Sequence, residues 1–244
     1  REKKADVGIG YDGDADRIGA IDERGEILWG DRLMIVYARD ILTQRPGTTF
    51  ISEVKASQCL YDDIAAKGGR PIMWKTGHSL MKAKLKAESA VLAGEMSGHM
   101  FFADRYFGFD DAIYASCRLV EILAKTKRSL SSLVADLPQT TVTPEIRVDC
   151  PDTLKFQLVD QVRTQLAAYL AEGQPVGASN LRMRELVTID GVRAIFEDGW
   201  GLIRASNTQP ALVLRFEAPS PARLDVIRAT IETELAQARR VLST

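Results

Sequence analysis

Val7-Gly8-Ile9-Gly10-Tyr11-Asp12-Gly13-Asp14-Ala15-Asp16-Arg17 is a β-prone apolar run that leads straight into three carboxylates at every second position. A strand leaving a sheet can hold such a loop rigid, and i, i+2, i+4 spacing in extended or looped backbone lets three short acids converge on one hard cation. Three negative charges so close repel one another unless a positive charge sits among them. Mg²⁺ suits a ligand set made only of oxygen and keeps its remaining positions for water or phosphate, and Arg17 stands beside it, able to meet a phosphate in bidentate fashion. Asp12, Asp14 and Asp16 are therefore candidate metal ligands.

Other readings of this stretch exist. Asp-Gly is a common turn signal, so a solvated acidic turn is one of them. An EF-hand loop would use the same three acids with Glu23 at its twelfth position, but the Gly needed at its sixth is Arg17. A haloacid-dehalogenase-type phosphatase would use Asp12 as nucleophile and Asp14 as acid, although Asp16 stands where that pattern wants Thr or Val.

The 244 residues suffice for one to two domains, and 45% hydrophobic with 27% charged residues describes an ordinary globular chain. A net charge of −1 offers no basic field for nucleic acid or an anionic membrane. No apolar run approaches the ~18 residues of a membrane span, and no signal segment opens the chain, which points to the cytoplasm. Cys59, Cys117 and Cys150 are odd in number and widely spaced, as expected of reduced thiols filling the core. The chain opens on Arg1-Glu2-Lys3-Lys4, without an initiator Met, and its first strand has no upstream partner. Such an orphan strand suggests a fragment.

Ile18 to Ile21 and Ile27 to Trp29 flank a polar turn and read as a hairpin. Asp31 is a good N-cap for a helix that Arg45-Pro46-Gly47 stops. Strand and helix then alternate: strands at 48–54, 71–74 and 91–94, helices at 57–67, 79–88 and 110–125, the last with Ile113, Leu119, Val120 and Leu123 on one face. Alternation with short links predicts an α/β domain whose parallel sheet is covered on both faces. In such sheets ligands bind beyond the carboxyl ends of the strands, where Lys55, Lys75-Thr76-Gly77-His78 and Glu95 to His99 fall. A short helix at 129–137 precedes the linker candidate Pro138-Gln139-Thr140-Thr141. A strand at 142–148, a helix at 152–171, β-like runs at 186–189, 192–196, 200–205 and 212–217, and a helix at 221–242 complete the chain. That order predicts an α+β domain with an antiparallel sheet and flanking helices. The expected division is 1–26, 27–138 and 139–244.

Gly94-Glu95-Met96-Ser97-Gly98-His99 joins two glycines, which let backbone approach a ligand, to a carboxylate, a hydroxyl and an imidazole. Glu and Ser can accept from and donate to vicinal sugar hydroxyls. His78 and His99 are the only histidines of the sequence, and both lie in Gly-containing segments at strand ends, which favours ligand contact or proton transfer. Arg204-Ala205-Ser206-Asn207-Thr208-Gln209-Pro210 offers a guanidinium, hydroxyls, an amide and backbone N–H groups with no acid among them, the composition of a phosphate cradle. Arg32 and Arg215 read more readily as structural ion-pair partners than as ligand contacts.

Taken in order, Asp12 to Arg17, Thr76-Gly77-His78-Ser79, Gly94 to His99 and Arg204 to Thr208 resemble the signatures of the α-D-phosphohexomutases, the phosphomannomutase/phosphoglucomutase family. Family members have four domains, and this chain resembles the tail of the second and all of the third and fourth. The family's metal loop usually has Gly where Ala15 stands, and phosphoglucosamine mutases tend to carry Gln where Met96 stands, which tilts the match towards hexoses with a C2 hydroxyl. The resemblance implies interconversion of mannose or glucose 1- and 6-phosphates through a 1,6-bisphosphate and an enzyme phosphoserine. It implies Mg²⁺ on Asp12, Asp14 and Asp16, with Arg17 and Lys55 as cation or proton carrier and His78 and His99 lining the site. Glu95, Met96, Ser97, Gly98 and His99 would form the sugar loop, and Arg204, Ser206, Asn207 and Thr208 would hold the non-reacting phosphate. No Ser-His-Asn-Pro-like nucleophile loop occurs in the sequence, so the phosphoserine is expected in an N-terminal domain outside it. A phosphosugar-binding module without turnover is the alternative, and the later motifs take most of the weight from the phosphatase reading.

Overall fold

The computed structural model describes residues 2–242, in two compact units, Arg1–Leu137 and Pro138–Thr244. In the first, β1 (Val7–Tyr11), β2 (Ile18–Asp22) and β3 (Ile27–Leu28) form an antiparallel sheet in that order. Val7–Tyr11 is thus not an orphan: all five of its residues pair with β2, because the acidic loop between them folds back as a hairpin. Ile18, Ala20 and Leu28 from this sheet sit in the same core as the helices that follow, so the sheet packs as part of the unit.

The next elements are α1 (Gly30–Gln44), β4 (Thr49–Glu53), α2 (Gln58–Ala66), β5 (Arg70–Trp74), α3 (His78–Ala87), β6 (Leu92–Gly94), β7 (Met100–Phe102), α4 (Ala112–Thr126) and α5 (Leu130–Leu133). Their sheet runs β5-β4-β6-β7, with β4 parallel to β5 and β6. Strand alternation sends Phe50, Leu92 and Phe102 to the face packed by α1, α2 and α4, and Ile51, Ala93 and Phe101 to the face packed by α3 through Met81 and Leu85. Three departures from the sequence reading have physical causes. Met100–Phe102 adds an antiparallel edge strand, since the short turn after β6 returns the chain as a hairpin. Helix α4 turns Ile113 and Val120 outward, 58% and 50% exposed, and buries Ala112, Ala115, Leu119 and Ile122 instead. Asp31 lies inside α1 and not at its cap; its carboxylate accepts from the backbone N–H groups of Arg32 (2.8 Å) and Ser57 (2.9 Å), fastening the helix start to the β4–α2 connection.

The second unit contains β8 (Thr141–Val142), β9 (Ile146–Asp149), α6 (Asp152–Glu172), β10 (Met183–Val187), β11 (Val192–Phe196), β12 (Trp200–Ala205), β13 (Ala211–Ala218) and α7 (Pro221–Leu242). The single strand expected at 142–148 is two, both against β13, because Pro144 has no N–H to give and Thr143 hydrogen-bonds Phe216 through backbone and hydroxyl. The antiparallel order is β10-β11-β12-β13. Leu224, Ile227, Ile231 and Leu235 of α7 and Leu158, Val162 and Leu166 of α6 pack on the face carrying Ala194, Ile203, Leu212, Leu214 and Phe216. The other face carries Arg193, Trp200, Leu202, Arg204, Arg215 and Glu217, all buried. There the Trp200 indole N–H donates to Glu217 (2.6 Å), and the Arg193 guanidinium lies 3.9 Å over the Trp200 ring.

Cys59 and Cys150 are buried, but Cys117 is exposed on α4 and fills no core. Among the described residues no helix is long and apolar enough to cross a membrane.

Candidate functional site

The β1–β2 hairpin loop brings one carboxylate oxygen each from Asp12, Asp14 and Asp16 within 4.8 Å of one another. The turn closes through the Ala15 N–H to the Asp12 carbonyl (3.3 Å), and Ala15 takes φ +58°, a left-handed conformation that an L side chain pays for. That is a physical reason for the glycine expected there. Partial desolvation pulls the Asp12 carboxyl up, while the Arg17 N–H (3.1 Å), Asp16 and the Arg17 guanidinium more than offset it and hold it below the usual range. Asp16 Oδ1 is buried and takes no hydrogen bond among the described residues; the Arg17 Nε stands 3.7 Å away. An orphaned oxygen in an all-carboxylate set fits a hard divalent cation.

Backbone stitches this loop to the Glu95–His99 loop. Arg17 and His99 form an isolated antiparallel bridge, and the Ile18 N–H donates to the Gly98 carbonyl (3.1 Å). Gly98 has φ +102°, and a Cβ there would lie 2.4 Å from the Ile18 carbonyl oxygen; at Gly30 a Cβ would lie 2.3 Å from the Glu95 carbonyl oxygen. Only glycine fits either position.

Glu95 is buried and already engaged: one oxygen accepts from the Gly77 N–H (2.7 Å), the other meets His99 Nδ1 (2.7 Å) and the Ser97 hydroxyl (3.4 Å). Burial pushes its carboxyl up, and His99, the Gly77 N–H and Lys55 outweigh that and bring it below the usual value. For His99, burial disfavours charge, and the Glu95 carboxylate with help from Asp16 prevails, raising it above the usual histidine value. With Nδ1 held by Glu95, Nε2 has two arrangements: neutral, it accepts from Arg17 Nε (3.2 Å); protonated, it faces Asp16 Oδ2 (3.3 Å). His78 opens α3 largely in solvent, its Nδ1 3.9 Å from Asp110 and its ring 6.2 Å from that of His99. Ser97 is exposed at the loop tip, and Met96 is half-buried.

Lys55 is buried with Nζ 3.9 Å from Glu53. Glu53, fully buried, accepts from Lys55 N–H (3.0 Å), the Thr76 hydroxyl (2.8 Å) and Met96 N–H (3.3 Å). It ties together the segments that follow β4, β5 and β6. Sequence reasoning missed Glu53 and also Asp110, which with Asp16 and His99 makes a second close group of ligand-type atoms and pairs with Lys82 at 3.1 Å. The last residue of a buried strand and the acid before an N-cap were the available signals. Arg32 is half-buried on the first turn of α1.

In the second unit, Arg204 does have an acid. Asp190, in the turn between β10 and β11, meets its guanidinium Nε at 3.1 Å, so the arginine expected to stand unpaired is buried and oriented. Ser206 Oγ accepts from the N–H groups of Thr208 (3.3 Å) and Gln209 (3.2 Å), which takes two donors out of the expected cradle. Asn207 and Thr208 are exposed at the tip, beside a 150 Å³ cavity lined in part by Arg163, Asp190, Gly191 and Asn207. Arg215 is buried on the Trp200 face of the sheet.

A family model described as phosphoglucomutase/phosphomannomutase, alpha/beta/alpha domain III, matches residues 29–141, and the C-terminal domain of the same family matches 145–234. The chain belongs to the phosphoglucomutase/phosphomannomutase family. It is 46% identical over 235 residues to the phosphomannomutase/phosphoglucomutase of Pseudomonas putida, covering 96% of this chain and 48% of that one. The chain therefore spans about half the length of the curated relatives it matches. A crystal structure of a phosphoglucomutase/phosphomannomutase family protein from Burkholderia thailandensis superposes with a TM-score of 0.84 at 41% identity, over 96% of this chain and 47% of that one. The fold also matches, at 17% identity and a TM-score of 0.64 over 94% and 48% of the two chains, the Aspergillus fumigatus N-acetylphosphoglucosamine mutase in complex with GlcNAc-6P and magnesium.

Proposed function

We propose that this chain is the metal-binding and sugar-phosphate-binding part of a phosphohexomutase that interconverts hexose 1-phosphate and hexose 6-phosphate, with mannose and glucose as the sugars and the 1,6-bisphosphate as intermediate. The observation that carries this reading is the backbone stitching of the Asp12–Asp16 loop to the Glu95–His99 loop at the Arg17–His99 bridge. It joins a carboxylate triad to a loop able to recognise sugar hydroxyls. The name of the Pseudomonas putida relative supports the reaction, and the magnesium of the Aspergillus fumigatus complex supports the ion.

In this reading Asp12, Asp14 and Asp16 hold Mg²⁺. The bound ion supplies charge neutralisation at a transferring phosphoryl group. Glu95 receives a sugar hydroxyl on its remaining lone pairs, and the exposed Ser97 hydroxyl donates or accepts beside it. Met96 and Gly98 shape the loop. His99, fixed at Nδ1, holds or releases a proton at Nε2, while Arg17, Lys55 and His78 add positive charge or proton capacity. Arg204, Ser206, Asn207 and Thr208 take the non-reacting phosphate. The covalent carrier is a serine in N-terminal domains of a longer cytoplasmic protein, with residues 1–26 as the tail of its second domain, 27–138 as its third and 139–244 as its fourth. Those domains, and no nucleic acid or membrane, are the partners of this chain.

Calorimetric titration tests the reading. The chain should bind Mg²⁺, Asp14→Asn should weaken that binding about tenfold or more through loss of a ligand charge, and the chain alone should convert no hexose 1-phosphate. Arg204→Ala should weaken hexose-phosphate binding by roughly 1.5–3 kcal/mol, the worth of charge-assisted hydrogen bonds. Mg²⁺ affinity untouched by Asp14→Asn, or robust turnover by the purified chain, would sink it.

A further inference from the structure

Lys155 lies on the first turn of α6, 51 residues from the loop at 206–209. Its side chain is only 5% exposed, and its Nζ donates to the backbone carbonyls of Ser206 (2.6 Å) and Gln209 (3.0 Å). Asp152 Oδ1, 2.6 Å away on a side chain 70% exposed, pairs with the ammonium from its solvent side, so Nζ holds the two loop carbonyls and one carboxylate. The aromatic ring of Phe156 lies 5.2 Å from Nζ and covers it.

The two hydrogen bonds orient peptide planes. In a trans peptide the carbonyl and the following N–H point to opposite sides. With the Ser206 carbonyl drawn inward to Nζ, the Asn207 N–H is turned away from α6, and no acceptor for it is found among the described residues. The neighbouring N–H groups of Thr208 and Gln209 are taken by Ser206 Oγ. One backbone donor is left facing outward, above a buried cation and three residues along from Arg204 and its guanidinium.

We propose that Lys155 is a positioning residue for phosphate recognition: its ammonium, paired with Asp152, fixes the Ser206–Asn207 peptide with its N–H outward. This rests on the reading of 204–208 as the phosphate site. Lys155 touches no ligand; it acts through the backbone it holds. A neutral residue there frees the Ser206 carbonyl to rotate outward, presenting an acceptor where an anion needs a donor.

The test is titration of glucose 6-phosphate into the 244-residue chain and into Lys155→Met and Lys155→Arg, with the Asn207 amide followed by NMR and thermal melting recorded for each. Wild type should bind and shift the Asn207 amide, Lys155→Met should bind about tenfold more weakly or worse with that shift lost, and Lys155→Arg should recover part of both. A purely architectural lysine would lower melting temperatures and leave the affinity of the folded protein within about twofold, which would overturn the proposal. If Lys155→Met does not fold, Lys155→Arg against Lys155→Gln decides: tighter binding by Arg supports the charge, and equal binding refutes it. A wild-type chain that binds no glucose 6-phosphate removes the phosphate-site reading and this proposal together, whereas wild type and Lys155→Met binding alike removes only the latter.

Discussion

The loops of the first unit and the 204–209 loop of the second are built by opposite means. Asp12 to Arg17 and Glu95 to His99 are positioned by backbone: a strand bridge, a main-chain hydrogen bond and a glycine where nothing larger fits. Residues 204–209 are positioned by charges that arrive from elsewhere in the chain, the half-buried Asp190 on Arg204 and the buried Lys155 on two carbonyls. Backbone stitching resists side-chain substitution and fails at glycine. Charge-built loops tolerate backbone change and fail when one partner is removed, because the other is left buried and uncompensated.

The contrast can be broken at Gly98. Gly98→Ala combines a forbidden φ with a Cβ 2.4 Å from a carbonyl oxygen, and should cost roughly 4 kcal/mol in urea unfolding of the first unit while weakening Mg²⁺ binding. A loss under about 1 kcal/mol would mean that side chains, not backbone, hold the two loops together. Asp190→Ala is the counterpart. It should destabilise the second unit by about 3 kcal/mol and leave Mg²⁺ affinity unchanged.

Glu234 sharpens the comparison further. It faces the core from α7, 1% exposed, with no hydrogen bond to either carboxylate oxygen among the described residues, and burial pushes its carboxyl up. Because the folded value lies above the unfolded one, this group supports the fold fully below the unfolded value, and that support disappears as pH rises through the folded value. Glu234→Gln should therefore unfold at higher denaturant than wild type at pH 8, by about 1 kcal/mol, with the advantage shrinking towards pH 4. A difference that stays flat with pH would show that Glu234 is solvated. The smallest effect is expected at Ala15→Gly, which relieves φ +58° and should gain roughly 0.5–1 kcal/mol in the first unit, read from the same unfolding curves.

What the sequence made legible follows the same divide. The acidic triad is readable because its three members are two residues apart, and α7 because Leu224, Ile227, Ile231 and Leu235 mark one stripe. Helix α4 was placed correctly but rotated: Ile113 and Val120 look like core residues by hydropathy, and the small Ala112 and Ala115 are what close packing against α1 required, with the Tyr37 hydroxyl donating to the Ala115 carbonyl at 2.9 Å. Asp190 and Lys155 lie 14 and 51 residues from the groups they hold, and no local pattern reports a pairing made across a sheet or from a neighbouring helix. Glu53 was hidden for a similar reason, since its partners come from three separate loops.

Met96 enters that Glu53 arrangement through its main chain alone, donating its N–H to Glu53 and accepting from the Gly30 N–H (3.3 Å). Its side chain is committed to neither bond. Ser97, next to it, is exposed. The Met96 side chain can therefore be exchanged without unpicking the framework beneath it, much as a lock can be re-pinned without recasting its body, and a change at Ser97 gives up only its hydroxyl's contacts with Glu95 and His99. Substitution has an easy route at residues 96 and 97, and a prohibitive one at Glu53, Gly30 or Gly98.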